Sequence, residues 1–187
     1  MTAAGPPSAL LVMDVQRGIA ERFEGGDVVA RVAEALAAAR AAGVPVIFVR
    51  VAFRPGHPEI SPRNRSFAAL RDTGRLLDDA STAIDPRVAP QAGEVVVTKR
   101  RVSAFAGSDL DVVLRAIGAQ HLVLCGLSTS GVVLSTVRAA ADRDYALTVL
   151  RDACADADAE VHRVLTEKVF PRQAEVLDAG AWAASLR

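Results

Sequence analysis

Asp14 ends the apolar run 9–13, where a buried strand would deliver a carboxylate to the rim of a sheet. A carboxylate in such a place is poorly solvated unless a cation answers it. Lys99 closes a second run, 94–99, ahead of Arg100 and Arg101. It is one of two lysines among 22 basic residues, the other being Lys168. Lysine differs from arginine as a compact point charge that titrates when desolvated. The third place is the turn Cys125-Gly126-Leu127-Ser128-Thr129-Ser130-Gly131-Val132-Val133. Its backbone N–H groups and the helix it opens suit an anion or a developing oxyanion. Each feature also has a plainer reading: Asp14 as the cap of a turn, Lys99 as a solvated strand end, Ser128 or Ser130 as an ordinary N-cap.

The elements that would position these residues follow from the hydrophobic pattern. Short runs rich in Val, Ile and Leu at 9–15, 44–51, 94–99, 121–127 and 146–152, with a weaker one at 174–178, alternate with longer stretches of helical period. Helices are predicted over 27–42, capped by Asp27 and ended by Gly43; over 108–117, between Ser108 and Gly118; over 131–143; and over 157–170, stopped by Pro171. Residues 53–90 hold five of the nine prolines and one short helical pattern at 66–77, and read as a functional loop region. Right-handed crossovers then give a three-layer α/β/α sandwich with a mostly parallel, Rossmann-like sheet, in which ligands sit beyond the carboxyl ends of the strands. No linker divides residues 1–187, so one domain is expected.

Composition narrows the function. Basic and acidic residues are both 22, which removes the electrostatic footprint of nucleic-acid or anionic-membrane binding. The apolar runs are too short to span a bilayer, and residues 1–7 lack the pattern of a secretory leader. With only Cys125 and Cys154, a cytoplasmic setting is expected. No G-x-G-x-x-G follows the first run and there is no P-loop, so a nucleotide site is not expected.

Taken together, the segments 10–16, 99–105, 107–110, 126–136 and 142–154 resemble the isochorismatase-like hydrolases, also called cysteine hydrolases. The resemblance implies strand order 3-2-1-4-5-6, a non-proline cis peptide near Ser128 and Thr129, and a homodimer or larger homo-oligomer to which the sixth strand and Trp182 contribute. In that family an Asp, a Lys and a Cys form the catalytic group. The first two carry over to Asp14 and Lys99. The third does not: the family turn Gly-x-x-Thr-x-x-Cys-Val, laid on Gly126, Thr129 and Val133, puts Val132 where the nucleophile would stand.

Without that thiol, attack on an amide carbonyl by sulfur is closed. Cys125 reads as a buried strand residue, and Cys154, beyond the fifth run, as the better-placed thiol. His57, His121 and His162 show no arrangement that activates a serine. The resemblance offers a second chemistry: isochorismatases lack the Cys and are thought to use the carboxyl group to protonate a vinyl ether. The alternative is a disabled member that binds a small molecule. Substrate contacts are expected from Gln16, Phe23, Phe105, Ser128, Thr129, Ser130 and Gly131. The phenylalanines can equally pack in the core. Arg50, Arg54, Arg63 and Arg65 are either a carboxylate receptor or surface residues paired with Asp and Glu. Nicotinamidases of the family bind a metal after the second strand; here His57 and Glu59 are too few ligands, so no metal or other cofactor is expected. One strand would separate Asp14 from Lys99, about 10 Å at the usual spacing, so their contact depends on the path of the chain past Thr98.

Overall fold

The structure, a computed structural model, describes residues 7–23 and 26–186, so all of the opening stretch 1–7 except Pro7 lies outside it. The strands are β1 (Ser8–Met13), β2 (Val46–Val51), β3 (Val95–Lys99), β4 (His121–Leu127), β5 (Ala146–Ala155) and β6 (Glu175–Leu177). They form one sheet in the order β3-β2-β1-β4-β5-β6, and every pairing is parallel. The helices are α1 (Arg17–Ala20), α2 (Val28–Ala41), α3 (Arg65–Asp72), α4 (Leu110–Ala116), α5 (Leu134–Ala141), α6 (Ala159–Val164) and α7 (Ala179–Ser185).

β1 is buried on both faces, as a central parallel strand must be: Ala9 through Met13 are fully inaccessible. Leu10 lies opposite Val46 of β2 on one side and Val123 of β4 on the other. Each such large apolar side chain contributes about 1.5–3 kcal/mol when removed from water, so the strand that carries Asp14 is among the most firmly held. A second, smaller apolar cluster of Val51, Phe53, Ile60 and Phe67 sits under the 53–90 region.

Gly126 fixes how closely β4 approaches β1. Its φ is 138°, and a Cβ there would lie 1.9 Å from the Met13 carbonyl oxygen, so no other residue fits without moving a strand. This contact draws the end of β1 against the turn that follows β4.

Several boundaries differ from the sequence pattern. β5 runs to Ala155 because the pairing with β4 shifts register between Leu124 and Gly126 and resumes at Gly126–Cys154 and Leu127–Ala155. Cys154 is therefore a buried strand residue rather than a loop thiol. Asp27 stands at the N-cap of α2 without a side-chain cap bond. The expected helix 157–170 begins only after Asp158, whose carboxylate accepts from the Glu160 and Val161 N–H groups, and it ends in wider and tighter turns up to Pro171. Asp178 stands at the N-cap of α7 without a side-chain cap bond, and Asp152 of β5 accepts from the Ala179 N–H at 2.8 Å. Trp182 on α7 is 4% exposed, packed in its own chain's core, and so cannot supply the intermolecular contact expected of it.

Candidate active site

At the carboxyl ends of β1 and β3 the chain places opposite charges in contact across the intervening strand. Asp14 adopts a left-handed backbone conformation, φ 56°, while its N–H still donates to the Val49 carbonyl at 2.8 Å. Such a conformation is disfavoured for a non-glycine residue and Asp tolerates it better than most. Gln16 locks the departure of the chain: its Nε2 donates to the carbonyls of Val51 and Thr82 at 2.9 and 2.7 Å, and its Oε1 accepts from the Val51 N–H at 2.8 Å. The ends of β1, β2 and the 80–82 turn are thus tied by one fully buried amide.

Lys99 reaches over the end of β2, and its Nζ stands 2.9 Å from Asp14 Oδ2. The ammonium also donates to the Arg101 carbonyl at 2.9 Å. The side chains are only 3% and 7% exposed, so little water screens the pair. Asp14 Oδ1 is buried with no hydrogen-bond partner among the described residues. Burial pushes the Asp14 carboxyl above its usual 3.8, against the opposing charge and hydrogen bond of Lys99.

The turn after β4 supplies the facing wall. The Leu127–Ser128 peptide is cis, and residues Thr129–Val133 form a wide turn before α5. The Ser130 N–H donates to Asp156 Oδ2 at 2.7 Å, and Thr129, fully buried, shares a 2.8 Å hydrogen bond with His162 Nδ1. Between this turn and the ion pair lies a cavity of about 240 Å³. Asp14, Lys99, Val51, Leu127, Ser128, Gly131 and Val132 line it, together with Ile19, Arg22, Phe23, Phe67, Leu70, Arg75, Leu76, Val102, Asp156 and Ala157.

Of the residues singled out from sequence, Asp14, Lys99, Phe23, Ser128, Gly131 and Val132 meet at this cavity. Gln16, Thr129 and Ser130 do not line it; they hold its walls through the hydrogen bonds just described. Phe105 is not part of it either. Its ring stacks on Tyr145 with centroids 6.2 Å apart, beneath the Arg143 guanidinium at 4.6 Å, so it is a core residue. Of the arginines weighed as a carboxylate receptor, Arg50, inside β2, pairs with Asp78 at 2.9 Å, and Arg54 pairs with Glu59 at 2.6 Å. Arg22 and Arg75 stand at the cavity instead, and nothing in their sequence context marks them. Phe67 and Leu70 had a usable signal, being three apart on one face of α3.

Both cysteines are buried. Burial pushes the Cys154 thiol up to about 12 and the Cys125 thiol well above its usual value, so both stay protonated at neutral pH. The histidines are engaged structurally: His57 Nε2 with the Arg75 carbonyl, and His121 between Ser8 and Thr148. Among the described residues no three His, Cys, Asp or Glu side chains converge as a metal would need, and no helix is long and apolar enough to cross a membrane.

The sheet order and the buried carboxylate–ammonium pair beyond its strands define an α/β/α protein of the cysteine-hydrolase type. The profile of the isochorismatase domain matches residues 8–181, and the chain belongs to the isochorismatase family. It is 33% identical over 165 residues to the isochorismatase family protein YwoC of Bacillus subtilis, covering 88% of this chain and 86% of that protein. It is 35% identical to ureidoacrylate amidohydrolase RutB of Methylobacterium radiotolerans, covering 86% of this chain and 68% of that protein. Among solved structures, a cysteine hydrolase from Pseudomonas syringae pv. phaseolicola superposes with a TM-score of 0.88 at 26% identity, covering 96% of this chain and 92% of that one. N-carbamoylsarcosine amidase from Thermoplasma acidophilum gives 0.75 at 27% identity, covering 92% and 96%. The family is hydrolytic.

Proposed function

We propose that this chain is a thiol-independent hydrolase of a small anionic or carbonyl-bearing molecule, with Asp14 as the proton-transfer group and Lys99 as its electrostatic partner. One observation carries the reading: Lys99 Nζ lies 2.9 Å from Asp14 Oδ2 at the base of a cavity, while Oδ1 has no partner among the described residues. A carboxyl group whose ionisation burial disfavours is suited to general-acid work, with Oδ1 as the oxygen free to carry the proton. On a vinyl ether, Oδ1 delivers this proton to the terminal carbon. Water adds to the resulting oxocarbenium carbon, and the hemiacetal then collapses to a ketone and an alcohol. The water's surplus proton restores the acid. Lys99 steadies the carboxylate left after the transfer, which is the moment when an adjacent ammonium is most favourable.

A second reading, a small-molecule binding protein without turnover, is favoured by Val132, an apolar side chain at the position of the family thiol and on the cavity wall. One panel separates the two. Isochorismate, nicotinamide, ureidoacrylate and N-carbamoyl amino acids are offered to the wild type, Asp14→Asn and Val132→Cys. The hydrolase reading expects wild-type turnover of at least one compound and its loss in Asp14→Asn. No wild-type turnover together with amidase activity in Val132→Cys establishes the binding protein.

A further inference from the structure

The charges around the cavity are graded from base to mouth. At the base, Asp14 and Lys99 are buried and neutralise each other. The other lining carboxylate, Asp156, is tied to the Ser130 N–H at 2.7 Å. Arg22 and Arg75 also line the cavity but are exposed. Neither guanidinium makes an ion pair among the described residues, whereas Arg50, Arg54 and Arg100 nearby are all committed to Asp78 or Glu59. The walls between base and mouth are apolar, from Phe23, Phe67, Leu70 and Leu76.

We infer that Arg22 and Arg75 form a carboxylate clamp at the cavity mouth, and that the ligand is a short monocarboxylic acid whose carboxylate is held there while its reacting bond reaches Asp14. This deepens the proposed function and rests on it for the place of the reacting bond, though not for binding. Two features favour a clamp over loose surface charge. The Arg75 backbone is pinned on both sides: its carbonyl accepts a hydrogen bond from the buried His57 Nε2 at 2.9 Å, and its N–H donates to the Leu70 carbonyl at 3.1 Å. Arg22 lies in a short turn, Glu21–Phe23, whose next residue, Phe23, is part of the apolar wall. A guanidinium offers two parallel donors to a carboxylate, a match that a carboxamide of the same shape does not make.

The test uses matched probes: 3-ureidopropionate against 3-ureidopropionamide, and benzoate against benzamide. Binding is measured by calorimetry on the full chain in wild type, Arg22→Gln, Arg75→Gln and Arg63→Gln. Arg63 is an exposed arginine outside the cavity. At least one acid is expected to bind at least about tenfold more tightly than its amide, since a charge-assisted contact at this level is worth about one decade. Each of the two cavity variants should remove most of that preference while leaving amide binding within about twofold. Arg63→Gln should leave it intact, and raising salt should erode it. Acid and amide binding alike, including no binding by any probe, overturns the clamp. So does a preference that survives in Arg22→Gln and Arg75→Gln. Binding is read without turnover, so Asp14→Asn, which removes hydrolysis under the proposed function, should keep the acid preference; the two ideas fail separately.

Discussion

Removing the ammonium from the buried pair is the perturbation whose consequence can be worked furthest. In Lys99→Met a linear side chain of similar length replaces the lysine, and Asp14 loses a partner at 2.9 Å in a site where both side chains are under a tenth exposed. At an effective dielectric of ~20 the lost attraction is about 6 kcal/mol. The lysine's own desolvation is relieved at the same time, and breaking buried pairs from one side typically destabilises by about 3–5 kcal/mol. Asp14 can also escape by taking up a proton, so we expect a loss of about 3 kcal/mol at pH 7.5. Both influences that Lys99 exerts on Asp14 lower its pKa, so the variant's carboxyl titrates higher still. A carboxyl whose folded pKa lies above its unfolded value of 3.8 contributes stability that is whole below 3.8 and lost as pH rises through the folded value. The defect of Lys99→Met must therefore grow from pH 4 to pH 8. Urea unfolding of wild type, Lys99→Met, Asp14→Asn and the double variant measures both the pH trend and a coupling energy, expected to be about 2 kcal/mol or more at pH 7.5. A Lys99→Met loss below about 1 kcal/mol, or a loss that does not change with pH, refutes the buried-pair argument.

Three further outcomes follow from the same geometry. Gly126→Ala should fail to give soluble folded protein or lose more than about 3 kcal/mol in denaturant melts, because its Cβ meets the Met13 carbonyl oxygen at 1.9 Å. Iodoacetamide at pH 8 should leave Cys125 and Cys154 unmodified in the folded protein and alkylate both in urea, as read by intact mass, since burial holds the Cys154 thiol at about 12. Gln16→Leu should lower stability by about 2–4 kcal/mol in chemical denaturation, because the Val51 N–H and the Val51 and Thr82 carbonyls lose their buried bonds to the Gln16 amide.

Much of this site was legible in the sequence for a physical reason. Asp14 and Lys99 each close an apolar run, and a parallel sheet brings the carboxyl ends of its strands to one side, so both residues had to arrive at the same edge. Their contact was not legible. It depends on the left-handed turn at Asp14 and on Lys99 folding back over β2, and neither leaves a mark in hydrophobic period. Gln16 and Phe105 show the opposite limit: residue type allowed a ligand contact, and burial assigned one to a backbone clamp and the other to a ring stack. Arg22 and Arg75 escaped because an exposed arginine in a turn looks the same whether it faces a cavity or open water. β5 continues past Asp152, where the apolar run ends, because its pairing with β4 shifts register and resumes at Gly126–Cys154 and Leu127–Ala155. A shift of register leaves no mark in an apolar-run criterion.

If Asp14 carries the proton in a hydrolysis that uses no thiol, the pH dependence of kcat for wild-type enzyme treated with iodoacetamide, on its best panel substrate, shows it. Turnover should be undiminished after iodoacetamide, should fall as pH rises through a single carboxyl titration above 3.8, and should drop at least about a hundredfold in Asp14→Asn. A rate abolished by alkylation, or one that Asp14→Asn retains with the same pH profile, contradicts it.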